Sequence, residues 1–228
     1  MVKIFSQHTT VFQQFVIASP LKMGVAIYFF IALIFISVWG ASIVSFGVGN
    51  VQKYPKNSIY NLSFEWIDEN GEKGTLSKFE GRPVILSWIY TTCKGACPLI
   101  MEKMKNIEKK ISQTKECHYV LITMDPKLDT ISTLLEFKKL HKGKAPHWHF
   151  LSTSVAKTRE FSHYIGFNYK KISDSDHFMH DNVIYLLDEY GVVIKQINGL
   201  NSNEQELVDF LIKKTLWERI KSFFYQWI

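Results

Sequence analysis

The alternation of apolar and polar positions divides the chain into two unlike parts. From Met23 to Gln52 there is no charged residue, and the middle of that run, Ile27 to Trp39, is almost wholly apolar. A helix of about 20 apolar residues spans the hydrocarbon of a bilayer, and it pairs its own backbone groups there. The run therefore predicts one transmembrane helix over residues 23–49, after an N-terminal segment over 1–22. Tyr28 and Trp39 suit the two interfaces. The apolar core of a secretory signal is shorter, about 7–15 residues, and begins earlier.

After a linker over 50–61, short apolar runs alternate with amphipathic stretches. Phe64-Glu65-Trp66-Ile67 followed by Glu69-Asn70-Gly71 reads as a strand and a tight turn. Pro83 to Tyr90 and Tyr119 to Met124 are continuous apolar runs, the mark of strands buried on both faces. Trp148–Leu151 is a third short strand, and Val183–Leu187 with Val192–Ile194 forms a hairpin around Asp188-Glu189-Tyr190-Gly191. Between them lie four helices. Pro98 suits the first turn of one that buries Ile100, Met104 and Ile107. Asp129 is the expected cap of the next, with Ile131, Leu134, Leu135, Phe137 and Leu140. Ser154 and Gly166 bound the third, and Ser202 opens the last, through Leu207, Phe210 and Leu211. This order predicts an α/β domain over 62–214, a mixed sheet flanked by helices, with its ligand site at the carboxyl edge of the strands. The tail over 215–228 alternates apolar and basic residues at helical spacing and suits either a membrane surface or the domain itself.

Composition narrows the class. With 228 residues, 46% apolar and 14% aromatic, the chain is neither a disordered tail nor a small disulfide knot. The net charge of +6 is a modest excess. No Gly-rich phosphate loop and no aromatic-interleaved basic stripe accompanies it, which excludes nucleotides and nucleic acids as expected partners. Lys3 and Lys22 before the apolar run balance Lys53 and Lys56 after it, so flanking charge sets no orientation. The first 22 residues lack Arg, in which a mitochondrial presequence is rich, and point to a bacterial inner membrane.

Three cysteines cannot build a disulfide framework, but a close pair can do metal or redox chemistry. Cys93-x-x-x-Cys97 lies where a strand hands over to a helix, and the helix N-terminus with Lys94 favours the thiolate. Paired thiolates are soft ligands that suit Cu(I), or zinc when four ligands are at hand. A further ligand is expected from His177 or His180, both just before the Val183–Leu187 strand. Cys117 reads as a core thiol, and His147-x-His149 as structure rather than ligation. Met101 and Met104 receive no role. Asp125 and Asp129 read as a strand end and a helix cap, with support of the site as the alternative.

From about Leu62 to Lys213 the chain resembles the SCO/SenC family. The likeness rests on Gly81–Leu86 running into Tyr90-Thr91-Thr92-Cys93-x-x-x-Cys97-Pro98, on Asp125-Pro126 with Asp129-Thr130, on Trp148–Leu151, and on His180 five residues before Tyr185-Leu186-Leu187-Asp188. It implies a membrane-anchored, thioredoxin-like domain outside the cytoplasm that binds copper through Cys93, Cys97 and His180. It selects His180 over His177 by the spacing to Tyr185. It further implies a copper chaperone with redox-active thiols, serving the copper-receiving subunit of cytochrome c oxidase and loaded by another copper donor protein. Two positions depart from the family pattern: Lys94-Gly95-Ala96 lacks the acidic residue often found there, and Ile131 stands where proline is frequent. The main alternative is a membrane-anchored thiol–disulfide oxidoreductase acting on client cysteines without metal, although such enzymes carry two residues between their cysteines. A peroxidase would need an Arg beside its cysteine, and Thr91–Met104 has none. A tethered interaction domain with incidental cysteines is the remaining reading.

Overall fold

The computed structural model describes residues 53–111, 116–141 and 146–225. The expected transmembrane run lies outside them; among the described residues no helix is long and apolar enough to cross a membrane. The architecture follows from the apolar runs. β3 (Val84–Ile89) is buried at every position, as are five of the six residues of β4 (His118–Thr123). The two pair in parallel, Val84 opposite His118 through Ile89 opposite Thr123. β5 (Trp148–Ser152) continues the parallel set on the other side of β4. β8 (Val183–Leu187) joins β3 antiparallel and carries β9 (Val193–Asn198) as the hairpin partner. At the far edge, β1 (Glu65–Asp68) and β2 (Lys73–Thr75) form a hairpin whose first strand pairs with β5. The sheet order is β2-β1-β5-β4-β3-β8-β9. A sheet with helix-connected parallel strands at its centre must be covered on its faces, which explains the unbroken apolar runs.

Among the described residues four helices flank this sheet: α1 (Ala96–Ile111), α2 (Ile131–His141), α3 (Val155–Ile165) and α4 (Gln205–Tyr225). Ser154 caps α3 by accepting a bond from the Lys157 amide at 3.2 Å, and Gly166 ends it at φ +77°, a left-handed turn that glycine adopts without strain. α1 buries Ile100, Met101, Met104 and Ile107, so both methionines are core residues. α2 differs from its expected stripe. Leu134 and Phe137 are buried, but Leu140 is 80% exposed and Ile131 is exposed too. Leu140 falls six residues beyond Leu134 and so on the far side of the helix. Lys138 takes the inner position instead, and its ammonium meets Glu69 at 2.5 Å and the Trp148 carbonyl at 2.7 Å.

A second expectation needs correction. Asp129 does not cap α2. Thr130 stands before the helix and its hydroxyl accepts from the Thr133 amide at 3.3 Å, while Asp129 turns inward. The sequence reading also passed over a separate two-stranded ribbon, β6 (Tyr169–Lys171) with β7 (Phe178–His180), between α3 and β8. Its strands are short and largely solvated, so neither the length nor the continuous burial that marks a central strand is present. Aromatic contacts hold it. Phe167 stacks on Trp88 at 4.7 Å, Tyr169 lies 6.3 Å from Trp88, and Phe178 lies 5.1 Å from Tyr90.

Candidate metal centre

The cysteine turn is built by the end of β3. The chain leaves the sheet at Tyr90, and the Cys93 amide turns back to the Tyr90 carbonyl at 3.1 Å. α1 begins only at Ala96, so the loop rather than a shared helix face brings the two sulfurs together. Cys97 sits in the first turn, and its amide donates to the Cys93 sulfur at 3.4 Å. An orphan amide at a helix N-terminus stabilises negative charge. Both cysteines are buried, and none of the chain's cysteines is in a disulfide.

His180 reaches the same point from the last residue of β7. Its Nδ1 donates to the Asp181 carbonyl at 2.7 Å, which orients the ring and leaves Nε2 for another partner. The Tyr90 ring meets the imidazole edge-on at 6.0 Å. The ligand atoms of Cys93, Cys97 and His180 all lie within 4.8 Å of one another. His177, the other candidate, is exposed in the turn that joins the two strands of the ribbon, outside this group. The ribbon itself is fastened at both ends. The Asn168 amide and side chain donate to the Asp181 carboxylate, each at 2.9 Å, and the Lys171 ammonium reaches Asp125 at 3.2 Å.

Electrostatics divides the sulfurs into unlike roles. The Cys93 thiol is brought down to about 3, first by the hydrogen bond from Cys97, then by those from His180 and the Cys97 and Gly95 amides, against the effect of burial. The same Cys97 bond to Cys93, together with burial, drives the Cys97 thiol upward. The pair therefore releases one proton readily and holds the other. Burial lowers the His180 pKa, but the Cys93 thiolate and the Asp181 carbonyl outweigh it and the net shift is upward. Burial and the adjacent Cys93 push the Tyr90 phenol up to about 12.

Two supporting residues, Asp129 and Tyr90, lie beside these ligands. Asp129, 2% exposed, accepts from the Thr91 amide at 3.1 Å, from the Thr91 hydroxyl at 2.5 Å and from the Thr123 hydroxyl. It so ties the ends of β3 and β4 together two residues before Cys93. Tyr90 hydrogen-bonds Cys93. The Asp-Pro…Asp-Thr spacing was the available sign of this support, but a capping role explains the same spacing. Other candidates do not converge here. His147 pairs with Glu108, and His149 lies 3.2 Å from His118, so the two histidines serve separate contacts. Cys117 is buried at the start of β4, as expected of a core thiol.

The donor set fits a soft ion. Two sulfurs and an imidazole nitrogen, one sulfur already ionised, suit Cu(I) better than a hard cation. Comparison with known proteins agrees with the fold. The SCO2-like protein of Rickettsia typhi is 29% identical over 170 residues, which cover 72% of this chain and 81% of that protein. The crystal structure of Arabidopsis thaliana ScoI with copper bound matches with a TM-score of 0.60 at 23% identity, over 68% of this chain and 96% of that one. BsSco, a member of the Sco family of cytochrome c oxidase assembly proteins in which a disulfide switch was identified, matches with a TM-score of 0.60 at 23% identity, over 71% and 95% of the two chains. Both structures share the thioredoxin-like α/β fold. The SCO1/SenC family model matches residues 52–214, which takes in the whole sheet and the Cys93, Cys97 and His180 group, and the chain belongs to that family.

Proposed function

We propose that this protein carries copper for the assembly of cytochrome c oxidase, holding the ion as cargo on Cys93, Cys97 and His180. The observation that carries the reading is the meeting of three soft or borderline donors within 4.8 Å of one another, from a strand-end turn and a distant ribbon. The copper-bound ScoI of Arabidopsis thaliana and the assembly role attached to BsSco support it. Cys93 is ionised in advance, His180 is oriented by Asp181, and Cys97 must lose its proton as the ion enters. Loading and unloading are then exchanges of these ligands for thiolates and imidazoles of a partner. The expected receiver is the copper-binding subunit of the oxidase and the expected supplier another copper donor protein. The uncharged run at 23–49 would anchor the domain on the outer face of a bacterial inner membrane, with the mitochondrial intermembrane space as the second possibility. Metal analysis with X-ray absorption on the purified protein tests this reading. One copper with two sulfurs and one nitrogen is expected, and retention of copper by the Cys93→Ser/Cys97→Ser double variant would refute it.

One observation favours a second reading. An ionised Cys93 beside a protonated Cys97 is the arrangement for thiol–disulfide exchange. The Cys93 thiolate would attack a client disulfide and release one client thiolate. Cys97 would then displace the second, leaving a Cys93–Cys97 disulfide and a client reduced by two electrons. Metal-free insulin reduction that survives His180→Ala would favour this enzyme over the chaperone.

A further inference from the structure

The last helix carries two apolar stripes on opposite sides. In its first half, Leu207, Val208 and Leu211 are buried against the domain, with Lys214 and Thr215 half-buried on the same row. Continued at helical spacing, that row passes through Glu218, Ser222 and Tyr225, where apolar residues largely cease. The opposite row begins with Asp209 and Lys213, both exposed, and then turns apolar. Leu216 is 56% exposed and Trp217 57% exposed, and in the sequence Ile220, Phe223 and Phe224 recur at the helical spacing of that row. In the sequence Trp227 falls at the same spacing. By helical spacing the apolar positions therefore change sides near residue 215, from the row of Leu207, Val208 and Leu211 to that of the exposed Leu216 and Trp217.

We propose that the second half of α4, from Leu216 onward, lies along an anionic membrane surface with this outward stripe in the headgroup region. Charge favours a lipid surface over a protein. Lys213, Arg219 and Lys221 stand against Glu218 alone across this stretch, while Lys214 on the inner row pairs with Glu189 at 3.3 Å. Basic side chains beside a Trp- and Phe-rich stripe are the composition of interfacial helices, and their long stems let the charge reach phosphates while the methylenes stay with the apolar face. Helices that dock on proteins instead deplete lysine at the contact. The chain's own uncharged run at 23–52 is a second reason to expect a bilayer nearby. The surface is independent of the copper reading, because none of its residues belongs to the metal centre.

Photo-crosslinking of the full chain in vesicles tests the surface. p-Benzoylphenylalanine is placed at Ile220 or Phe224 on the apolar row, and at Glu218 or Ser222 on the polar row. The vesicles are phosphatidylcholine with about 30% phosphatidylglycerol. Lipid adducts are expected from 220 and 224 and not from 218 and 222. Replacing Arg219 and Lys221 by Glu should lower the adduct yield about fivefold per residue, since each basic group near an anionic surface contributes about a factor of that size. Equal lipid labelling of both rows would mean proximity through another tether and overturns the proposal. So would a covalent dimer, which would make the stripe an interface between copies, or a crosslink only within the domain. Circular dichroism of each variant verifies that α4 is retained, and unchanged lipid labelling in a folded variant with Leu216→Glu and Phe223→Glu also overturns it.

Discussion

Replacing Asp129 by alanine should loosen the turn that holds Cys93 without touching a ligand. The carboxylate is 2% exposed and receives three donors, the Thr91 amide, the Thr91 hydroxyl and the Thr123 hydroxyl. Thr123 is fully buried, so its hydroxyl has no water to turn to, whereas Thr91 is partly solvated and recovers part of its loss. A buried donor left without its partner costs about 1–3 kcal/mol. One full loss and two partial ones give about 2–4 kcal/mol of destabilisation for Asp129→Ala. Asparagine separates the charge from the hydrogen bonds. Burial raises the Asp129 pKa despite its donors, so the ionised form is held at some cost, and Asp129→Asn keeps the shape and one acceptor. Its expected effect is under about 1 kcal/mol. Urea unfolding of the metal-free variants measures both numbers. A chelator competition for Cu(I) then measures what the turn contributes. Alanine should weaken binding by about tenfold or more, because a loosened Cys93 must be ordered at the cost of backbone freedom. Equal stability of the two variants, or full Cu(I) affinity in a folded Asp129→Ala protein, would refute the role given to this residue.

The buried Glu69–Lys138 pair joins the β1–β2 turn to α2, and Glu69 also receives the Phe150 amide at 2.9 Å. Lys138→Met leaves that carboxylate buried with neutral donors only and should cost about 3–5 kcal/mol in denaturant unfolding; a loss below about 1 kcal/mol would contradict the pairing. His149 is held neutral, first by burial and then by the charges of His118 and Lys138, with its pKa brought down to about 3. Its folded value lies below the unfolded one, so the unfolded chain takes up the proton first and stability falls as pH drops from about 6.5. The slope is at most about 1.4 kcal/mol per pH unit, and less because the ring is partly solvated. Thermal unfolding between pH 7 and 4 should show this decline, and His149→Gln should flatten it; identical profiles would assign the acid sensitivity elsewhere. In the metal-free protein, iodoacetamide should modify Cys93 before Cys97 at a rate nearly constant from pH 5 to 8, read by mass spectrometry, because Cys93 is already a thiolate throughout. A rate that climbs tenfold per pH unit would show an ordinary thiol.

Burial on both faces leaves a local mark, and this is why the central strands were legible from residue order alone. Val84–Ile89, His118–Thr123 and Val183–Leu187 are apolar runs because a covered sheet tolerates few polar side chains there. The caps Ser154 and Gly166 were legible for the same reason: the groups they satisfy lie within a few residues. The paired cysteines marked the chemistry, and likeness to the SCO/SenC family selected His180. What residue order did not determine is the company each side chain keeps across the fold. Asp129 has the composition of a cap but serves Thr123 and the distant Thr91, since a buried acceptor follows the donors packed around it. Lys138 lies inside because Glu69 stands across from it. The β6–β7 ribbon is too short and too polar to announce itself, and contacts with distant groups, the rings of Trp88 and Tyr90 and the Asp125 carboxylate, hold His180 near Cys93. Short-range periodicity records which face of an element is dry; the meeting of a remote imidazole with two sulfurs is decided by packing between elements, which no local pattern encodes.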